Sequence, residues 1–80
     1  MIDIRISEDL WSNSMVQEGV LERWRLDSGQ TAQAGVTVAE VRVEGALHEM
    51  PAPAAGRLIV LVAPGAVVEP GDVIGSIDAG

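Results

Sequence analysis

Lysine and cysteine are both absent from this 80-residue chain, and its aromatic residues are limited to two tryptophans. Without cysteine, neither a disulfide framework nor a thiolate metal site can stabilise a domain this small. Without lysine, no side chain carries a primary amine that could form an amide. The 48% hydrophobic content must therefore build a core from valine, isoleucine, leucine and alanine, and the β-branched residues among these favour strands.

Positive charge is also scarce, because five arginines face twelve acidic residues and the formal net charge is −7 at pH 7. Nucleic acids and anionic membrane surfaces both require clustered basic residues, so we expect neither as a partner. The first twenty residues contain Asp3, Glu8 and Asp9 and no long apolar run, which predicts neither a signal peptide nor a transmembrane segment. We therefore expect a cytoplasmic protein with one domain, residues 1–80.

Alternating apolar residues predict an all-β chain, since no segment keeps a helical period over three turns. The predicted strands cover residues 1–6, 20–26, 36–43, 46–50, 58–62 and 73–77, with turns rich in glycine, proline and aspartate between them. Trp11 lies in an irregular segment, where a tryptophan either plugs the end of a barrel or anchors a partner. The plugging role is the one we expect.

The two halves of the sequence repeat one another. The matching residues are Gly19, Leu21 and Trp24 with Gly56, Leu58 and Leu61, and then Gly29, Gly35 and Val41 with Gly65, Gly71 and Ile77. Two copies of one strand–turn–strand unit predict a sandwich or flattened barrel with pseudo-two-fold symmetry. In such a fold Trp24 and Leu61 are expected to hold equivalent buried positions.

Several segments resemble the lipoyl domains of 2-oxoacid dehydrogenase acyltransferases in order and spacing. They are Ser14-Met15, Glu18-Gly19-Val20-Leu21-Glu22-Arg23-Trp24, Ala39-Glu40-Val41, Ala52-Pro53-Ala54-Ala55-Gly56-Arg57-Leu58 and Pro70-Gly71-Asp72-Val73-Ile74. The resemblance implies a lipoyl/biotinyl-like flattened β-barrel, or barrel-sandwich hybrid, of two four-stranded antiparallel sheets. In that family a lysine at the tip of a tight hairpin carries lipoate or biotin.

The attachment lysine of that family is missing here. The family's spacing of seven residues before Ala52 leads to Gly45, so Glu44-Gly45 replaces the usual Asp-Lys pair and Ala46 follows. A glycine at this point also suits a two-residue hairpin, which favours a positive φ. Amide formation requires a primary amine, for which the guanidinium of arginine is no substitute, so we expect no lipoate or biotin. A natural loss of the lysine is favoured over an engineered one.

The resemblance then implies a non-catalytic, cofactor-free lipoyl-like domain that binds a protein partner of the 2-oxoacid dehydrogenase or carboxylase type. The candidate interaction residues are Glu44, His48 and Glu49 at the hairpin, with Ile59, Val60 and Leu61 in an apolar patch. The alternative is a lipoyl or biotin carrier component of a multienzyme complex whose attachment lysine was lost or engineered away.

The apolar patch comes from the run Leu58-Ile59-Val60-Leu61-Val62, whose five apolar residues predict a strand that is covered on both faces. The resemblance places Leu58 inside, which turns Ile59 and Leu61 outward unless a bulge shifts the register. Exposed residues of this size favour a homodimer or a dedicated partner on the strand.

Metal binding and catalysis are not expected from the polar residues. His48 and Glu49 are neighbours on a predicted strand, so they face opposite sides and cannot converge on one ion. The acidic pairs Glu8/Asp9 and Glu44/Glu49 have no companion nucleophile or pocket in the sequence pattern. We therefore expect no enzyme activity and no metal site.

Overall fold

The computed structural model describes residues 1–11 and 18–79, which form eight strands and a short 3-10 helix, Glu8–Trp11. The Ser14-Met15 part of the resemblance lies outside the described residues. The strands are β1 (Ile2–Arg5), β2 (Gly19–Trp24), β3 (Thr31–Ala32), β4 (Thr37–Val43), β5 (Ala46–Pro51), β6 (Gly56–Val60), β7 (Val67–Val68) and β8 (Val73–Asp78). The two-residue strands β3 and β7 were not predicted.

The eight strands form two four-stranded antiparallel sheets, which confirms the predicted all-β fold. The terminal sheet has the order β1-β8-β6-β3, and the hairpin sheet has the order β5-β4-β2-β7. The molecule is flattened, with extents of 39 × 20 × 16 Å. Its core contains fully buried aliphatic side chains from both sheets, among them Leu21, Val41, Leu58 and Ile77.

A pseudo-two-fold relation connects the two halves, because β1 to β4 repeat as β5 to β8 and each sheet takes strands from both copies. The turns carry the same hydrogen bonds in each copy. The amide of Gly29 donates to the carbonyl of Leu58 at 2.8 Å, and the amide of Gly65 donates to that of Leu21 at 2.7 Å. The repeat seen in the sequence therefore corresponds to a structural repeat.

A glycine opens the second strand of each copy because a backbone carbonyl lies against it. A Cβ on Gly56 would come within 2.5 Å of the carbonyl oxygen of Asp78, and one on Gly19 within 3.0 Å of that of Arg42. Arg42 and Asp78 hold equivalent places on β4 and β8. These glycines let adjacent strands approach more closely than any side chain would permit.

Trp24 and Leu61 do not hold equivalent buried positions, so that prediction is wrong. Trp24 is half-buried and packs against the core, whereas Leu61 faces solvent. A bulge in β2 shifts its register with β4 between Leu21 and Arg23, and the extra residue turns Trp24 inward. No shift occurs in β6, so Leu58 and Val60 point inward while Leu61 is 61% exposed. The spatial counterpart of Trp24 is therefore Val60.

The residues on either side of Leu61 do not alternate between buried and exposed as the sequence predicted. Ile59 is half-buried instead of exposed, and Val62 is half-buried and packs against the core. The strand ends at Val60, two residues earlier than expected, because the amides of Leu61 and Val62 both donate to the carbonyl of Ile74. The prediction that Leu61 points outward is confirmed. The prediction that both faces of this strand are covered is not, since Leu61 is exposed.

Trp11 plugs the core, as the sequence analysis favoured. Its side chain is buried, and its ring edge lies 3.2 Å from the point where a Cβ on Gly19 would stand. The indole N–H has no hydrogen-bond acceptor among the described residues. No helix within the described ranges is long and apolar enough to cross a membrane.

Candidate functional site

The tip of the β4–β5 hairpin is a two-residue turn formed by Glu44 and Gly45. Their φ angles of 51° and 86° are both positive, as in a type I′ turn, and Val43 pairs with Ala46 at its base. The positive φ predicted for Gly45 is thus confirmed. Apart from Gly45 itself and its two chain neighbours, no residue has an atom within 4 Å of the place where a Cβ on Gly45 would stand. The turn therefore projects into open space.

One arginine ties the turn to the sheet beside it. Arg42 donates from Nε to Oε1 of Glu22 at 2.7 Å and from Nη1 to the carbonyl of Gly45 at 3.4 Å. An open depression of about 310 Å³ lies between the turn and the first residues of β2, and it reaches Val67 on β7. Arg42 lines this depression, with its guanidinium already engaged by neighbouring groups.

A second charge network covers the outer face of the hairpin sheet. The carboxylate of Glu40 accepts hydrogen bonds from Arg23 Nε at 2.7 Å and Arg25 Nε at 2.6 Å, and Arg25 also contacts Glu49 at 3.1 Å. The two arginines cover Glu40 so fully that it is 1% exposed. The hydrogen bond from Arg23, followed by that from Arg25, holds the pKa of Glu40 below its usual range. The network fixes β2, β4 and β5 against one another.

Acid is expected to remove the stability that this network contributes, because Glu40 has a pKa below its ordinary value in the folded state. A lowered pKa contributes stability that is present above the ordinary value of 4.5 and is lost as the pH falls through the folded-state pKa. Glu40→Gln is therefore expected to be less stable than wild type at pH 7, with the gap closing at lower pH. Urea unfolding from pH 7 to pH 2.5 measures the free energy of unfolding of both proteins.

The matched control is Glu49→Gln, since Glu49 contacts the same Arg25 but its side chain is 60% exposed. Exposed ion pairs contribute little, so its stability is expected to follow wild type closely across the pH range. Parallel curves for Glu40→Gln and wild type below pH 4.5 would contradict the assignment of a lowered pKa to Glu40.

The polar residues predicted at the hairpin do not converge. His48 pairs with the buried Val41 and is half-buried, whereas the next residue, Glu49, lies on the opposite face against Arg25. Among residues 1–11 and 18–79, no three histidine or acidic side chains are grouped as a metal site would require. Glu44 and Ala46 are exposed at the turn itself.

The predicted apolar patch does not adjoin the hairpin residues in sheet order. Ile59 and Val60 belong to β6 in the terminal sheet and Leu61 follows them, while Glu44, His48 and Glu49 belong to the hairpin sheet. Val60 packs against the core and leaves Leu61 as the exposed member. The role of these residues in binding stays a prediction.

Three features of the site were not predicted from the sequence. They are the Arg42–Glu22 pair, the network around Glu40, and the exposed Val20 and Val67 of the depression. Each depends on which strands are neighbours in the sheet. The only local signal was the alternation of β2, which placed Val20 on a face opposite to Leu21.

The chain belongs to the biotin/lipoyl family, since the family model described as "Biotin-requiring enzyme" matches residues 13–77. A search of curated proteins found no match. Among solved structures, the lipoyl domain of the 2-oxoglutarate dehydrogenase complex from Azotobacter vinelandii is similar, with a TM-score of 0.74 and 19% identity over 96% of this chain and 98% of that one. At that identity the likeness establishes the fold alone.

Domains of this family act as carriers rather than as catalysts, and they carry a group on a side-chain amine. The hairpin tip of this chain does not fit that chemistry. Glu44 offers a carboxylate, Gly45 has no side chain, and Ala46 ends in a methyl group. Amide attachment of lipoate or biotin requires an amine nucleophile, which none of the three provides.

Proposed function

We propose that this chain is a cofactor-free member of the family that acts by binding another protein. The supporting observation is the hairpin tip, where Glu44-Gly45 forms a type I′ turn in a chain with no lysine. On this proposal Gly45 stands at the attachment position of the family. The domain keeps the family fold and presents its tip as a surface instead of a swinging arm.

The proposed partner is an enzyme of the 2-oxoacid dehydrogenase or carboxylase type, because domains of this family serve such complexes. The hairpin offers Glu44 at its tip, with His48 and Glu49 along β5. A carboxylate-rich surface on a chain of net charge −7 favours a basic region of the partner. The exposed Leu61 is the remaining support for a homodimer, the second mode of association.

One observation favours the alternative function, a carrier component that has lost its lysine. The type I′ geometry is intact, and the space around Gly45 is open, so a lysine there would extend into solvent without a clash. On this alternative the flanking surface still meets the requirements of a lipoate or biotin ligase. The two functions therefore differ in whether the restored lysine is recognised.

Wild type, coexpressed with lipoate or biotin ligase and excess cofactor, is expected to keep its unmodified mass. Gly45→Lys restores the amine at the tip at a cost of about 1–2 kcal/mol, because a lysine at positive φ is strained. If the lost-lysine carrier is right, this variant gains the mass of one cofactor. If the chain is a binding domain whose surface the ligases no longer recognise, Gly45→Lys folds but stays unmodified. Intact-mass spectrometry distinguishes these results.

Gly29→Lys is the matched control, because Gly29 also has a positive φ, of 95°, and open space around it in another turn. It is expected to stay unmodified in every case, which separates recognition of the hairpin from modification of any exposed lysine. A covalent adduct on an internal residue of wild type would overturn the cofactor-free proposal.

A further inference from the structure

One row of side chains crosses the outer face of the hairpin sheet beside the turn. Leu47, Arg42, Val20 and Val67 lie opposite one another on four successive strands. The three apolar members are exposed by 46%, 36% and 60% for Leu47, Val20 and Val67. We call these four residues the tip row. It is an apolar strip interrupted by a single arginine.

The terminal sheet shows which residue types the fold accepts at the positions of the tip row. At the positions equivalent to Arg42, Val20 and Val67 it has Asp78, Arg57 and Thr31, which are paired in the same register and exposed. The fold therefore accepts charged and polar residues at these places. The two valines are not required by strand pairing or by the core, which points to a role in binding.

The charges around the tip row define what binds there. Glu18 and Glu44 line the depression at its edge, and neither forms an ion pair with a described residue. Arg42 is paired with Glu22 and also donates to the carbonyl of Gly45, so its guanidinium does not pair with Glu18 or Glu44. The depression thus presents two uncompensated carboxylates beside two exposed valines.

We propose that the tip row is a docking surface for a partner protein that presents an apolar side chain flanked by lysine or arginine. The apolar side chain packs on Val20 and Val67, and the basic groups pair with Glu18 and Glu44. A second copy of this chain does not fit, because it would bring carboxylates against carboxylates. This docking surface rests on the proposed function, for which it supplies the contact surface and the chemistry of the partner.

The double variant Val20→Thr/Val67→Thr tests the surface. Threonine is β-branched like valine, and the terminal sheet has Thr31 at the place of Val67 and the polar Arg57 at that of Val20, so the fold is expected to be kept. The matched control is Leu61→Thr, which removes an exposed apolar side chain outside the tip row. The melting temperature of each variant, from circular dichroism, is the check on folding.

The probe is a blocked Arg-Leu-Ala-Leu-Arg peptide, titrated into ¹⁵N-labelled protein and followed by amide chemical shifts. The shifts are expected at Val20, Val67, Leu47 and Glu44, with at least a tenfold rise in Kd for the double variant and none for Leu61→Thr. Added salt is expected to raise Kd, because exposed ion pairs are screened. A blocked Glu-Leu-Ala-Leu-Glu peptide is expected to bind at least tenfold more weakly.

Shifts that are absent, that centre on Leu61 and Trp24, or that are equally large with the acidic peptide would overturn the proposed surface. The proposed function is tested separately, by calorimetry of wild type with the purified 2-oxoacid dehydrogenase and carboxylase components of the organism that encodes the chain. If no component binds while the basic peptide still shifts the tip row, the proposed function fails and the docking surface stands. If a component binds equally to wild type and to the double variant, the docking surface is wrong and the function stands.

Discussion

Replacing Gly56 with alanine is expected to destabilise the domain by about 2–5 kcal/mol, from overpacking and backbone strain together. The new methyl group would lie 2.5 Å from the carbonyl oxygen of Asp78 and 2.7 Å from Cγ2 of Ile77, on a residue whose φ is 156°. The first of these contacts is with backbone held in the β6–β8 ladder, so neither strand can move away without losing its pairing. Small domains have about 5–15 kcal/mol of stability in total, so this loss is severe.

Gly45→Ala serves as the control, because Gly45 also has a positive φ, of 86°, but no residue other than its chain neighbours lies within 4 Å of the added methyl group. Its loss is expected to be only the backbone strain, about 1–2 kcal/mol. Urea unfolding followed by circular dichroism gives both values. Equal losses in the two variants would show that β6 and β8 do not approach as closely as the structure has them.

The repeated glycines made the fold predictable from the sequence. Gly19 and Gly56 mark the second strand of each copy, and Gly29 and Gly65 mark the turns that follow. Each position has a backbone requirement, either the close approach of a neighbouring strand or a positive φ, which only glycine meets readily. The strands β3 and β7 had no such signal, because two residues are too few to show alternation.

The bulge in β2 explains why the sequence repeat aligns Trp24 with Leu61, one residue beyond its structural counterpart Val60. The offset between the copies is 37 residues from Gly19 to Gly56, but it falls to 36 once the extra residue of β2 has passed. Trp24 therefore matches Val60 in space, although it aligns with Leu61 in the sequence. A bulge depends on how two strands pair, and the alternation of one strand does not reveal it.

The hairpin tip was predictable for the same reason as the turns, since Glu44-Gly45 between two strands is local turn chemistry. The network around Glu40 and the tip row were not. Val20 meets Val67 only because β2 lies next to β7, which is more than forty residues later in the chain. Local patterns predict the face of a residue, and sheet order decides its neighbours.

Leu58→Ala is expected to cost about 2–5 kcal/mol, whereas Leu61→Ala is expected to cost less than about 0.5 kcal/mol. Leu58 is completely buried and pairs with the equally buried Ile77 in the middle of the terminal sheet. Truncating it leaves a cavity between the sheets that the surrounding β-structure cannot fill. Leu61 lies three residues further along the same segment, but 61% of it faces solvent.

The two truncations remove the same atoms, so their difference measures burial alone and tests the bulge interpretation directly. Leu61 would be buried if β6 carried the same bulge as β2, since the extra residue would turn it inward as it turns Trp24. Comparable losses in the two variants, measured by urea unfolding at low protein concentration, would therefore place a bulge in β6. A loss for Leu61→Ala that grows with protein concentration would instead indicate that self-association buries Leu61, because stability linked to association depends on concentration.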